Sequence, residues 1–191
     1  MRDAPPIVDL PKEQRAVRRK AIFALAVCVL TLGVATVGLP RLFAFPDDLI
    51  ERLAFAVRAN LVIGLWVMLA VRMVAKVRFE SAQDNAGSAY SQPSARLAVP
   101  AAFLQNTLEQ GAIAALGNLA LATVAGRQPL AYMVATVLLF SLGRVTFLRG
   151  YPHGASGRAF GIVTTVLPTM GAYLWTIIDM VLVVFSIHSH R

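Results

Sequence analysis

The chain has 191 residues, 57% of them apolar, with a formal net charge of +8 and a mean hydropathy of +0.65. That much apolar surface exceeds what a water-soluble domain of this length buries around one core, so a wholly soluble fold is excluded and a bilayer must cover part of it. Lys and Arg gather at the ends of apolar runs rather than on one aromatic-interleaved basic face, which argues against a nucleic-acid partner, and the single cysteine, Cys28, excludes an intrachain disulfide and a cysteine-rich zinc site.

Residues 1–20 are polar, contain Pro5, Pro6 and Pro11, and end in the basic cluster Arg15, Arg18, Arg19 and Lys20. They read as a cytoplasmic N-terminal segment. A charge-free run over 21–39, closed by Pro40 and Arg41, is long enough to span as a helix over 21–40. A cleaved signal peptide is the rival reading, but the run exceeds a usual h-region and no small-x-small site follows it. A turn with Pro46, Asp47 and Asp48 leads to a second predicted helix over 53–76, whose Arg58 and Arg72 can snorkel to opposite interfaces. From 80 to 99 the Ser, Gln, Asn, Gly and Pro content predicts a mobile loop.

A third span is predicted over 100–125, with Pro100 in its first turn. Gly126 to Pro129 turns the chain into a fourth over 130–149. Pro152, His153, Gly154 and Gly157 break that helix before a fifth over 158–187, which Pro168 should kink. The fold class is therefore all-α, a polytopic transmembrane bundle with five crossings. Basic clusters before the first span, after the second and between the fourth and fifth share one side, taken as cytoplasmic. The amino terminus is then cytoplasmic, and the tail His188, Ser189, His190 and Arg191 lies opposite; Arg41, Arg52 and Arg127 weaken the bias slightly.

Polar residues that hydropathy does not require converge at the cytoplasmic end. Asn106 and Glu109 share one helical face of span three, and Arg144 and Tyr151 share one across the end of span four. Arg72 closes span two, and Arg158 opens span five, where helix N-terminal amides add positive potential. Two readings stand: ordinary interface anchors, or a pocket of guanidiniums with one carboxylate, an amide and a phenol, suited to a small anionic ligand bearing carboxylates and an amine.

The order Asn106-Thr107-Leu108-Glu109, Gly143-Arg144-Val145, Gly150-Tyr151 and Gly157-Arg158-Ala159 resembles the MAPEG family, membrane-associated proteins in eicosanoid and glutathione metabolism. The resemblance covers residues 53–191, so the first helix would be an addition to a MAPEG-like four-helix core. It implies a homotrimer with glutathione as co-substrate between protomers near the cytoplasmic face and a lipophilic small-molecule substrate arriving from the membrane lipids; the expected setting, apart from the resemblance, is a bacterial inner membrane. By position it implies that Arg72, Asn106, Glu109, Arg144 and Tyr151 contact or frame glutathione, and that Arg158 is the catalytic residue that stabilises its thiolate. A guanidinium beside the sulfur lowers the thiol pKa from about 8.5.

The sequence departs from the family in having Ala102, Phe103, Leu104 and Gln105 in place of a basic, His-containing stretch, and Phe147 where some members have His. The functions in view are thus a glutathione-dependent transferase or peroxidase, a non-catalytic scaffold of the same fold that binds a lipid or a partner membrane protein, and, third, a small transporter or channel subunit gated by a Glu109–Arg144 pair. The glycines at 150, 154 and 157 read as turn residues, and His188 and His190 as a solvated end with no metal assigned. Gly111, Ala115 and Gly117 predict close helix packing, within the chain or across a trimer, and Asn118 a hydrogen bond to a neighbouring helix.

Overall fold

The structure, a computed structural model, describes residues 9–90 and 92–189, with side chains as far as residue 186. Pro5 and Pro6 of the N-terminal segment, and His190 and Arg191 of the tail, lie outside the described residues. The described chain forms α1 (Leu10–Leu42), α2 (Leu49–Glu80), α3 (Ala95–Ala122), α4 (Gln128–Gly150), a 3-10 turn (Tyr151–His153) and α5 (Gly154–Ser189).

Each boundary has a local cause. Asp9 caps α1 by accepting from the Lys12 N–H at 3.2 Å, with Pro11 and Glu13 in the first turn. Residues 10–20 are therefore helical rather than a separate polar segment, and the basic cluster sits on α1 itself. Asp48 caps α2 through the N–H groups of Ile50 and Glu51 at 2.9 and 3.2 Å. Ser94 caps α3 by accepting from Leu97 N–H at 3.2 Å, which places Pro100 inside the helix and not in its first turn.

Three stretches are long and apolar enough to cross a membrane: Leu10–Leu42, Leu49–Glu80 and Gln128–Ser186. The expected count of five is not reached on this measure, for two physical reasons. Gln105, Asn106, Glu109, Gln110 and Asn118 dilute the apolarity of α3, and α4 and α5 form one nearly continuous apolar stretch joined by the 3-10 turn.

Along that stretch the chain folds back on itself. A Cβ on Gly150 would stand 2.0 Å from the Gly157 carbonyl oxygen, and one on Gly157 would stand 2.1 Å from that of Gly150, so only glycine allows this approach. Further along the same seam the Tyr132 hydroxyl donates to the Pro168 carbonyl at 2.9 Å. Helix α4 is the most enclosed element, burying Leu130, Met133, Phe140 and Phe147, while α1 packs on α4 and α5, and α2 on α3 and α4. Gly111 and Gly117 receive Ile63 and Tyr173, which makes their packing intrachain. Asn118 Nδ2 donates to Asn60 Oδ1 at 2.8 Å, the expected bond to a neighbouring helix.

Two polar residues acquire roles that the sequence reading did not give them. Arg52, read as a charge at the outer interface, is 3% exposed and grips the end of α3. Its Nε donates to the Ala122 carbonyl at 2.9 Å, Nη1 to that of Gly126 at 2.5 Å and Nη2 to that of Val124, satisfying the last carbonyl of α3 and two of the turn that follows it. The loop expected over 80–99 is shorter, 81–94, because α3 begins at Ala95, and Asp84 ties its two ends. Its carboxylate accepts from Ser81 Oγ at 2.7 Å, Ser94 N–H at 2.8 Å and Ser94 Oγ at 2.6 Å, so one acid joins the exit of α2 to the cap of α3.

Candidate functional site

Four of the six residues singled out in the sequence line one cavity of about 260 Å³, with Asn106 and Glu109 from α3, Tyr151 from the 3-10 turn and Arg158 from α5. The α-helical spacing of Asn106 and Glu109 puts both on the face of α3 turned to α5. Gly154, at φ +73°, reverses the chain after the 3-10 turn, so Tyr151 and Arg158 approach from either side of that reversal.

The Arg158 guanidinium carbon lies 4.6 Å from the centroid of the Tyr151 ring and 6.0 Å from that of Phe147, and its Nε donates to the Gly154 carbonyl at 3.3 Å. Among the described residues it forms no ion pair. Glu109 is exposed and accepts from Gln105 Nε2 at 3.1 Å. One cavity thus offers an unpaired guanidinium, a carboxylate, a phenol and an amide. That set can take a ligand with both anionic groups and an ammonium.

Arg144 stands behind this wall rather than in it. It is fully buried, stacked 5.2 Å from the ring centroids of both Phe140 and Phe147. Its Nη1 donates to Asn106 Oδ1 at 2.7 Å and its Nη2 to Thr165 Oγ1 at 2.8 Å. Asn106 Oδ1 is thereby engaged, which leaves the Asn106 Nδ2 to donate to a ligand. The Glu109–Arg144 pair considered for a channel does not form, because the guanidinium turns inward to the amide and the hydroxyl. Arg72 is exposed on α2 and is not brought to the cavity wall.

Thr165 is the functional-site neighbour that sequence reasoning missed. It donates to the Gly161 carbonyl at 2.8 Å while accepting from Arg144, so the hydroxyl is used in both senses. Its signal was a cluster of threonines, Thr164, Thr165 and Thr169, within an otherwise apolar helix.

The sequence model of the MAPEG family matches residues 53–178. The chain belongs to the MAPEG family. The matched residues begin in α2 and end in α5, so they contain the whole cavity, and α1 precedes them. Neither a curated protein nor a solved structure matches the chain. MAPEG membership associates the protein with glutathione-related function in a membrane at the level of the family.

Proposed function

We propose that this MAPEG protein is a glutathione-dependent membrane transferase or peroxidase acting on lipophilic substrates. The observation that carries the reading is the meeting of Asn106, Glu109, Tyr151 and Arg158 around one cavity. Glu109 suits the glutathione ammonium, Asn106 Nδ2 a carboxylate or peptide carbonyl, and Arg158 the sulfur. A guanidinium beside the thiol favours the thiolate, the nucleophilic form. In conjugation the sulfur lone pair forms the bond to an electrophilic carbon, and the leaving group departs with the electrons of its own bond.

A second cavity, about 400 Å³ and lined by Ile113, Val166, Met170 and Leu174, lies further along the same pair of helices, α3 and α5. Its apolar wall supports a lipophilic co-substrate reaching the sulfur from the bilayer. In a homotrimer the exposed Arg72 of a neighbouring protomer would complete the cationic set that one chain's cavity lacks. We further propose five crossings with the amino terminus cytoplasmic. Helix α3 has 28 residues and α4 has 23, about 42 and 35 Å at the α-helical rise, enough for a hydrocarbon core of about 30 Å.

A non-catalytic scaffold is the second reading, and one feature favours it. Ala102 and Gln105 line the cavity where many MAPEG members carry basic residues, leaving Arg158 as the cation of the wall. Turnover assays on purified protein in nanodiscs, with a panel of aryl halides, enones and lipid hydroperoxides, separate the two. Glutathione-dependent turnover that falls at least about a hundredfold in Arg158→Ala, the range for loss of an electrostatic stabiliser, supports the enzyme. Absence of turnover across the panel supports the scaffold.

A further inference from the structure

Helix α1 precedes the residues matched to the family, yet it holds the turn that carries Arg158. Glu13 accepts through Oε1 from the backbone N–H of Ser156 at 2.7 Å, across 143 residues of chain. Ser156 lies in the first turn of α5, whose leading amides have no partner within the helix. The same carboxylate oxygen borders Gly154, where a Cβ would stand 3.3 Å from it.

Arg158 is tied to that turn from the other end, its Nε donating to the Gly154 carbonyl at 3.3 Å. Packing leaves a gap at this corner. Phe23 meets Phe160 with ring centroids 5.7 Å apart, but a cavity of about 280 Å³ opens between Val17 and Ala21 of α1 and Arg158 and Ala159 of α5. The Glu13 bond is the polar tie across that gap.

We propose that Glu13 is a positioning residue: by capping the first turn of α5 it fixes the Gly154 carbonyl, and through it the direction of the Arg158 guanidinium. The added helix is then part of the site's framework, contributed by residues outside the family match. The effect on thiolate formation rests on the glutathione reading; the effect on the turn does not.

The test compares wild type, Glu13→Ala, Glu13→Gln and Ser156→Pro, all as full chains in nanodiscs. Gln keeps an acceptor oxygen. Pro deletes the donor from the other side at a position where a first-turn helix tolerates it. Amide hydrogen exchange over residues 154–158 and glutathione thiolate absorbance as a function of pH are read on each. We expect Glu13→Ala and Ser156→Pro to exchange about fivefold faster there, the scale of a lost helix cap, and to form less thiolate at a given pH, while Glu13→Gln keeps the wild-type exchange rate. Unchanged exchange in both Glu13→Ala and Ser156→Pro overturns the proposal, even if Arg158→Ala abolishes the thiolate and the glutathione reading stands. Faster exchange in a protein that never forms a thiolate supports the tie and sinks the glutathione reading instead. Should Glu13→Ala fail to insert, Ser156→Pro reads the same bond.

Discussion

The guanidinium of Arg144 donates to Asn106 Oδ1 at 2.7 Å from within the bundle, so the amide that faces the cavity is held by a cation that does not. The two residues therefore differ in what their loss removes. Asn106→Leu leaves a buried guanidinium short of an acceptor and should cost roughly 1.5–3 kcal/mol, the range for hydrogen bonds to charged groups. Arg144→Met removes the charge together with its bonds and keeps most of the volume, so we expect a smaller loss. Thermal unfolding of both variants in nanodiscs checks the order. Equal losses would mean that the hydrogen bond lost in both variants, and not the stranded charge left in one, sets the cost.

Arg52 should behave as a structural residue with no part in the site. Its guanidinium reaches the carbonyls of Ala122, Val124 and Gly126, far along α3 from Asn106. Arg52→Met strands those carbonyls, and we expect a destabilisation of about 3 kcal/mol or more. Any glutathione affinity measured on the surviving folded fraction should match that of wild type.

The α4–α5 seam gives a steric prediction. Gly150→Ala and Gly157→Ala each drive a methyl against a backbone carbonyl that cannot rotate away. Each should destabilise by about 1–3 kcal/mol, as overpacking does, and both should shift Tyr151 relative to Arg158. Loss of the Arg158–Tyr151 contact would appear as altered tyrosine fluorescence; an unchanged spectrum with full stability would contradict the close approach.

Asp84 makes the loop over 81–94 pH-dependent. The side chain and backbone of Ser94, then Ser81, hold its carboxyl below the ordinary value of 3.8. A lowered folded pKa means a stabilising contribution that is complete above that ordinary value and is lost as the pH falls through the folded one. The carboxylate is enclosed by its own loop, 1% exposed, although the loop lies at the rim of the bundle. Limited proteolysis should therefore leave the loop intact at about pH 6 and cut it faster at about pH 3, on either side of the titration. Asp84→Asn should be cut readily at both.

Apolar run length locates each helix in the sequence but not its ends. The polar residues 10–20 join α1 because Asp9 and Pro11 start a helix there, and residues 77–80 extend α2 past its last long apolar run. Helical spacing is enough to place Asn106 beside Glu109, and chain order enough to bring Tyr151 near Arg158. What the sequence hides is which way an arginine turns. Arg52, Arg72, Arg144 and Arg158 all lie in or at the ends of predicted helices, yet one clamps carbonyls, one is exposed, one is buried behind the wall and one lines the cavity. For Arg52 and Arg144 those fates depend on partners 21 to 74 residues away, such as Thr165 and Gly126, that local patterning does not encode. The loop hides its organisation for a related reason, since a Ser- and Gly-rich composition does not reveal that one acid, Asp84, accepts from both Ser81 and Ser94.

Calorimetric titration of glutathione into the purified protein in nanodiscs, with thiolate absorbance followed in parallel, tests the central reading most directly. Binding tighter than about millimolar, near 4 kcal/mol, with a thiolate signal that Arg158→Ala abolishes while binding persists, is the expected result. No heat and no thiolate at about ten millimolar, well above that limit, would contradict the glutathione reading and leave the cavity as the ligand site of a MAPEG scaffold.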